Sequence, residues 1–267
     1  MSDGRRHTLA KWLKLAGLAL IGVLSVSIPL TAAIMLSATG SSDLLTLGEL
    51  KPAHRHVTPA DAVARARCDP KRGYYALTFE DGPFAGTTPK LVAALEQADA
   101  VAVFFDVGEK AAADPQLVEL QRSVGQVANH TYSHPLMTRV SSERRLQELE
   151  AGAKALDYPN AFVRTPFGEA GPLVLADIRK TGLAPVYWTV DVRDTELGVK
   201  EIAAQAERVG PGGIVRLHEG VANTVAAVPL IVARLKKQGM CPGFLAVSRQ
   251  SVVSPQGVAF HVVAVKP

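Results

Sequence analysis

Cysteine is nearly absent from this 267-residue chain, which has only Cys68 and Cys241. In an oxidising compartment such a pair forms a disulfide more often than a metal site or a reactive thiol. Here the bond would tie the start of the domain to its end, and two separate buried thiols are the alternative. Surplus charge is scarce where it would matter. The formal net charge is +4, but Arg5, Arg6, Lys11 and Lys14 against Asp3 place +3 of it before residue 15, which leaves +1 for everything after. No basic face for nucleic acid follows. Three motif classes are missing as well. No glycine-rich fingerprint follows the first strand pattern, so no nucleotide cofactor is expected. Thr131 stands where H-E-x-x-H would need Glu, and there is no G-x-S-x-G elbow, which argues against a zincin protease and a serine hydrolase.

Charge is missing altogether from Leu15 to Ser42, and the part up to Leu36 is mostly Leu, Ala, Ile and Val. That is long enough to cross a bilayer of about 30 Å. Its length favours a retained anchor over a cleaved signal peptide, although Pro29 and the small residues Thr31 to Ala33 and Ser37 to Thr39 leave cleavage open. The cations precede the segment, so the positive-inside rule places everything after Ser42 outside the cytoplasm. Residues 43–67 mix charge, Pro and short apolar runs and read as a linker; His54 and His56 within it read as solvated.

What remains, residues 68–250, alternates short apolar runs with amphipathic stretches. The runs are YALTF at 75–79, VAVFF at 101–105, QVA at 126–128, FVR at 162–164, PVYW at 185–188, IVRL at 214–217 and FLAV at 244–247. Each reads as a buried strand. Helical patterns cover Thr88 to Gln97, Ser141 to Leu156, Pro172 to Thr181, Lys200 to Val209 and Thr224 to Gln238. Repeated βα units predict a largely parallel α/β sheet, either doubly wound or closed into a barrel. The tail, 251–267, reads as β-rich, a hairpin turning at Pro255 to Gly257; His261 in it is given no chemistry.

In barrels the chemistry sits at the C-terminal ends of strands, and ionisable residues collect there: Glu80 and Asp81, Asn129 and His130, Arg164, Asp191 and Asp194, and His218. His130 and His134 have the i, i+4 spacing that lets two imidazoles face one side of a helical turn and share a metal, a weak signal by itself. Asp81 is the natural third ligand, since a carboxylate with two imidazoles leaves open metal positions. Each residue also has a plainer reading. Asp191 fits a helix cap better than a catalytic group. Arg164 can be a structural ion pair, and His218 alone would more often be a core histidine. Tyr187 and Trp188 read as core packing within a strand.

Five segments, TFEDGP at 78–83, HTYSH at 130–134, RTPFG at 164–168, DVRDT at 191–195 and LH at 217–218, resemble in order and spacing the motifs of the polysaccharide deacetylase family. This family is also called the NodB homology domain or carbohydrate esterase family 4. Residues 223–243 are similar to secreted actinobacterial members acting on xylan or chitin. The resemblance implies a distorted (β/α) barrel and a hydrolase that removes N-acetyl or O-acetyl groups from chitin, peptidoglycan or xylan and releases acetate. It implies Asp81, His130 and His134 as ligands of a divalent metal, Zn²⁺ foremost, with Co²⁺ or Ni²⁺ alternatives. Glu80 takes the place of the general base, His218 of the general acid, Arg164 of the residue orienting the base, and Asp194 of the carboxylate tuning His218. The backbone N–H of Phe167 falls in the oxyanion site.

The sequence departs from the family pattern at three places. Glu80 replaces the usual Asp base and carries its carboxylate one methylene further out, a shift that can cost about a hundredfold in rate. Thr195 stands where Trp is usual, and HEG at 218–220 lacks the usual nearby apolar residue. Thr165 and Phe167 alter the third motif. A second reading follows from Glu80: a membrane-tethered glycan-binding pseudoenzyme with weak or no catalysis.

Overall fold

The structure, a computed structural model, describes residues 68–157, 161–248 and 261–265. Its centre is a parallel sheet. Strands β1 (Gly73–Glu80), β2 (Ala102–Asp106), β3 (Gly125–Asn129), β4 (Phe162–Val163), β5 (Ala184–Pro185), β6 (Val190–Asp191) and β7 (Ile214–His218) lie in the order β5-β4-β3-β2-β1-β7-β6. Every neighbouring pair is parallel, and β8 (Met240–Pro242) runs parallel to the first residues of β1. The edge strands β5 and β6 do not pair with each other among the described residues, so the expected barrel is an incomplete, curled one. Parallel strands covered on both faces read as unbroken apolar runs, which is why YALTF and VAVFF show no alternation.

The two faces of the sheet separate by residue parity. Tyr75, Leu77 and Phe79 of β1 pack outward with Phe104, Val215 and Leu217 against α1 (Thr88–Gln97), α6 (Val199–Ala206) and α7 (Ala222–Lys237). Ala76 turns inward, with Val103, Phe105, Ala128 and Ile214. Each fully buried Leu or Phe of the outer cluster contributes about 1.5 to 3 kcal/mol. On the inward face the last residue of β1 is Glu80, opposite His218 of β7.

Two helices that no sequence pattern announced, α2 (Gly108–Ala113) and α3 (Pro115–Arg122), lie between β2 and β3. Each is eight residues or shorter, below the length at which a 3.6-residue period is legible. Helix α4 (Ser142–Ala155) is capped by the Ser141 hydroxyl, which accepts from the Arg144 N–H, and α5 (Pro172–Lys180) starts at a proline. Residues Tyr187 and Trp188 lie between β5 and β6, outside any strand, and Tyr187 is exposed. The reading of both as strand core is therefore corrected for Tyr187 and holds only in part for Trp188, which packs half-buried against the inner cluster.

Cys68 and Cys241 form a disulfide that fastens the segment before β1 to β8. Strand β9 (Phe244–Ser248) pairs antiparallel with β10 (His261–Val265), a hairpin whose turn lies outside the described residues; the boundary drawn at 250 falls between these two strands. The apolar stretch at 15–42, the linker and His54 and His56 also lie outside the described residues. Among the described residues, no helix is long and apolar enough to cross a membrane.

Candidate active site

The strand ends converge on one rim. Asp81 follows β1, His130 follows β3, and His134 lies four residues on in the loop toward α4. One carboxylate oxygen of Asp81 is 3.1 Å from His134 Nε2 and 3.3 Å from His130 Nε2, and the three potential ligand atoms lie within 4.8 Å of one another. Burial works against ionisation of Asp81, but the two neighbouring imidazoles prevail and hold its carboxyl well below the usual range.

The two histidines do not share a helical turn, contrary to the i, i+4 reading. Residues 130–134 form a loop in which Thr131 and His134 have φ of 67° and 59°. Loop hydrogen bonds impose this shape. Asn129 accepts from the Thr131 N–H, and the buried Glu148 carboxylate accepts from the Tyr132 and Ser133 N–H groups and the Ser133 hydroxyl. Gly152 of α4 lets this loop sit against the helix, because a Cβ there would lie 2.5 Å from Asn129 Oδ1. Asp81, Phe167 and Arg193 also adopt positive φ. Such backbone costs about 1 to 3 kcal/mol per residue and persists where surrounding contacts over-determine it.

The three residues fit a divalent metal on two grounds. His130 Nδ1 lies 2.8 Å from the Arg164 carbonyl oxygen, which can only accept, so Nδ1 carries the proton and Nε2 presents a lone pair. That Nε2 is buried and, despite its nearness to Asp81, has no hydrogen-bond partner. An orphaned imidazole lone pair beside a carboxylate and a second imidazole is a donor set suited to Zn²⁺ or a similar ion.

Beside this set lies a charged cluster. Glu80 is 3 % exposed, and its two oxygens accept from Arg164 at 3.2 Å and Arg216 at 2.9 Å. Burial would raise its pKa, but the His218 contact and the charges of Arg164 and Arg216 outweigh burial and bring it to about 2. His218 Nδ1 is 2.7 Å from Asp194 Oδ1, and the other Asp194 oxygen accepts from the His218 N–H and the Thr224 hydroxyl. Burial would lower the imidazolium pKa, yet Asp194 and Glu80 together raise it to about 9. Arg164 is 1 % exposed and lies over the Phe105 ring, so the ion-pair reading and the orienting reading describe one contact. Phe167 is 60 % exposed, and its ring lies edge-on to that of His134, one of the candidate metal ligands.

Comparison with known proteins decides the family. The family model described as polysaccharide deacetylase matches residues 67–186. A chitooligosaccharide deacetylase of Bradyrhizobium is 33% identical over 185 residues, covering 61% of this chain and 84% of that protein. The chain belongs to the polysaccharide deacetylase family. The solved family 4 carbohydrate esterase of Streptomyces lividans, in complex with acetate, aligns with a TM-score of 0.64 and 33% identity, over 73% of this chain and 98% of that one. A bifunctional xylanase/xylan deacetylase of Cellvibrio japonicus is 32% identical over 68% of this chain, which spans 29% of that longer protein.

Arg216, Asp106, Gln121, Glu219 and Lys110 carried no signal that sequence reading used, and Asp191 was misread. Arg216 sits in IVRL, a run that reads as core, although its parity with His218 places both on the inward face. Asp191 is not a helix cap: its Oδ1 accepts from the Arg193 N–H in a turn, its Oδ2 is 2.8 Å from Arg216, and the next helix starts at Val199. Behind the Asp81 loop, buried Asp106 and Glu219 share the Gln121 side-chain amide, each at 3.0 Å, and Glu219 also accepts from the Thr88 hydroxyl. Burial raises both carboxyls, and for Asp106 the nearby Glu219 charge adds to it, so the pair shares a proton more readily than two free carboxylates would. Lys110 donates to the Asp81 carbonyl at 2.7 Å and covers the Phe84 ring.

Proposed function

We propose that this family member is a divalent-metal-dependent hydrolase that removes acetyl groups from a polysaccharide of the chitin, peptidoglycan or xylan kind and releases acetate. The observation that carries the reading is the adjacency of two sets. The donors of Asp81, His130 and His134 converge within 4.8 Å, and the residue preceding Asp81, Glu80, reaches His218 at 3.3 Å. Asp81, His130 and His134 would hold the ion, which when bound lowers the pKa of water and polarises an acetyl carbonyl.

The chain's own residues supply the rest. Glu80, ionised at neutral pH and held by Arg164, takes a proton from the attacking water. His218, kept protonated by Asp194, gives a proton to the departing amine or alkoxide. The Phe167 N–H donates to the oxygen that becomes negative as the carbonyl is attacked. The pseudoenzyme reading rested on the extra methylene of Glu80, and the placement of that carboxylate between Arg164, Arg216 and His218 favours the enzyme.

The Cys68–Cys241 disulfide supports an extracytoplasmic site of action, and the segment at 1–42 would deliver the domain there as an anchor or a signal. N-acetylated substrates are favoured by the likeness to the chitooligosaccharide deacetylase of Bradyrhizobium and to the peptidoglycan-N-acetylglucosamine deacetylase of Listeria monocytogenes. Acetate release from a chitin oligomer, peptidoglycan and acetylated xylan by the full chain with Zn²⁺ tests the reading. Release from at least one, fastest on an N-acetylated glycan, is expected; none from any of the three contradicts it.

A further inference from the structure

We propose that Arg216 is a positioning residue of the hydrolytic site, a bridge that fixes Glu80 and His218 relative to each other through the shape of its guanidinium. The proposal rests on the deacetylase reading.

Arg216 lies at an inward position of β7, between Thr78 of β1 and Asp191 of β6. Its side chain is 17 % exposed, a costly place for a cation unless its donors are met. Three of them are. Nε lies 2.9 Å from Glu80 Oε1, Nη1 is 2.8 Å from Asp191 Oδ2, and Nη2 is 2.9 Å from His218 Nε2. The guanidinium also lies over the Trp188 ring, 4.4 Å from its centroid. Asp191 and Trp188 hold it from one side, so its remaining donors are presented to Glu80 and His218 in a fixed fork. A purely structural arginine would be satisfied by Asp191; this one directs two of its three hydrogen bonds to the groups that move protons.

The contact with His218 depends on protonation. An arginine N–H can only donate, so the Nη2 contact requires a lone pair on Nε2, the state of the imidazole after its proton has gone to the leaving group. In the protonated state the same Nε2 can donate to Glu80 Oε1 at 3.3 Å. Arg216 thus offers the neutral imidazole a partner when proton transfer ends. It also balances charge: Glu80, Asp191 and Asp194 face Arg164 and Arg216, which leaves one negative charge, matched while His218 is protonated. Without Arg216 two negative charges would remain, and the imidazolium would surrender its proton less readily.

Lysine keeps the charge but reaches as a single point, so it cannot bridge three partners. The test compares wild type, Arg216→Lys, Arg216→Met, Asp191→Asn and the Arg216→Met/Asp191→Asn double variant in acetate release, with melting temperature and calorimetric titration of zinc chloride as controls. Both Arg216 variants are expected to lose about 10- to 100-fold in kcat with KM and zinc affinity within about threefold. Asp191→Asn should lose less, and nothing further in the double variant. Wild-type kcat in Arg216→Lys, a loss confined to KM, or additive losses in the double variant would overturn the proposal while leaving the deacetylase reading intact. A wild type that binds zinc and releases no acetate would overturn that reading, and this proposal with it.

Discussion

Asp194 grips His218 twice, accepting from the imidazole Nδ1 at 2.7 Å and from the backbone N–H of the same residue at 2.6 Å. The double contact fixes the ring as well as its charge. The His218 pKa lies above the ordinary 6.5, at about 9. Its contribution to stability is therefore fully present below pH 6.5 and is lost as pH rises through about 9. As an acid, His218 must be protonated, so kcat should fall as pH rises through about 9. Asp194→Asn removes the anionic partner: the alkaline limb of the pH–rate profile should move down by at least one pH unit and kcat should drop about a hundredfold. An unmoved limb would remove His218 from the acid role.

Glu80 tests whether its extra methylene is a defect or a fit. Its carboxylate spans Arg164 and Arg216 from opposite oxygens, a reach that Asp would shorten by about an ångström. Glu80→Asp should therefore lower kcat, by about tenfold. Glu80→Gln should lower it by at least a hundredfold with zinc affinity retained in calorimetry. A Glu80→Asp variant faster than wild type would show that the residue is a handicap.

The positions of Asp81, His130, Arg164, Asp194 and His218 were legible because strand ends are easy to find and a βα alternation puts those ends on one rim. Three things were not. The His130 to His134 loop depends on positive φ at Thr131 and His134, which no sequence pattern of non-glycine residues announces. Arg216 was hidden by the apolar run around it, although counting in twos back from His218 would have found it. The Asp106–Gln121–Glu219 cluster joins residues far apart in the chain, including one from a helix too short to read.

Glu148 is the test of the loop. It is buried and accepts three hydrogen bonds from residues 132 and 133, and Arg144 pairs with it. Glu148→Ala leaves the Tyr132 and Ser133 N–H groups without their carboxylate partner. It should cost about 2 to 3 kcal/mol of stability in urea unfolding and weaken zinc binding about tenfold by releasing His134. Unchanged zinc affinity would mean that the loop holds its shape without this carboxylate.

The Cys68–Cys241 bond closes a sequence separation of 173 residues. Replacing both cysteines with alanine frees that loop in the unfolded chain, and the expected loss is about 2 to 5 kcal/mol in denaturant unfolding. Acetate release by the folded fraction should be unaffected, since the bond lies at β8 and the site at the opposite strand ends.

The central claim is that Asp81, His130 and His134 are one metal site. Anomalous diffraction from crystals grown with zinc, recorded on both sides of the zinc edge, measures this directly. The account predicts a single strong peak within about 2.0 to 2.2 Å of an Asp81 carboxylate oxygen, His130 Nε2 and His134 Nε2. A zinc peak elsewhere, with none between these three side chains, would contradict it.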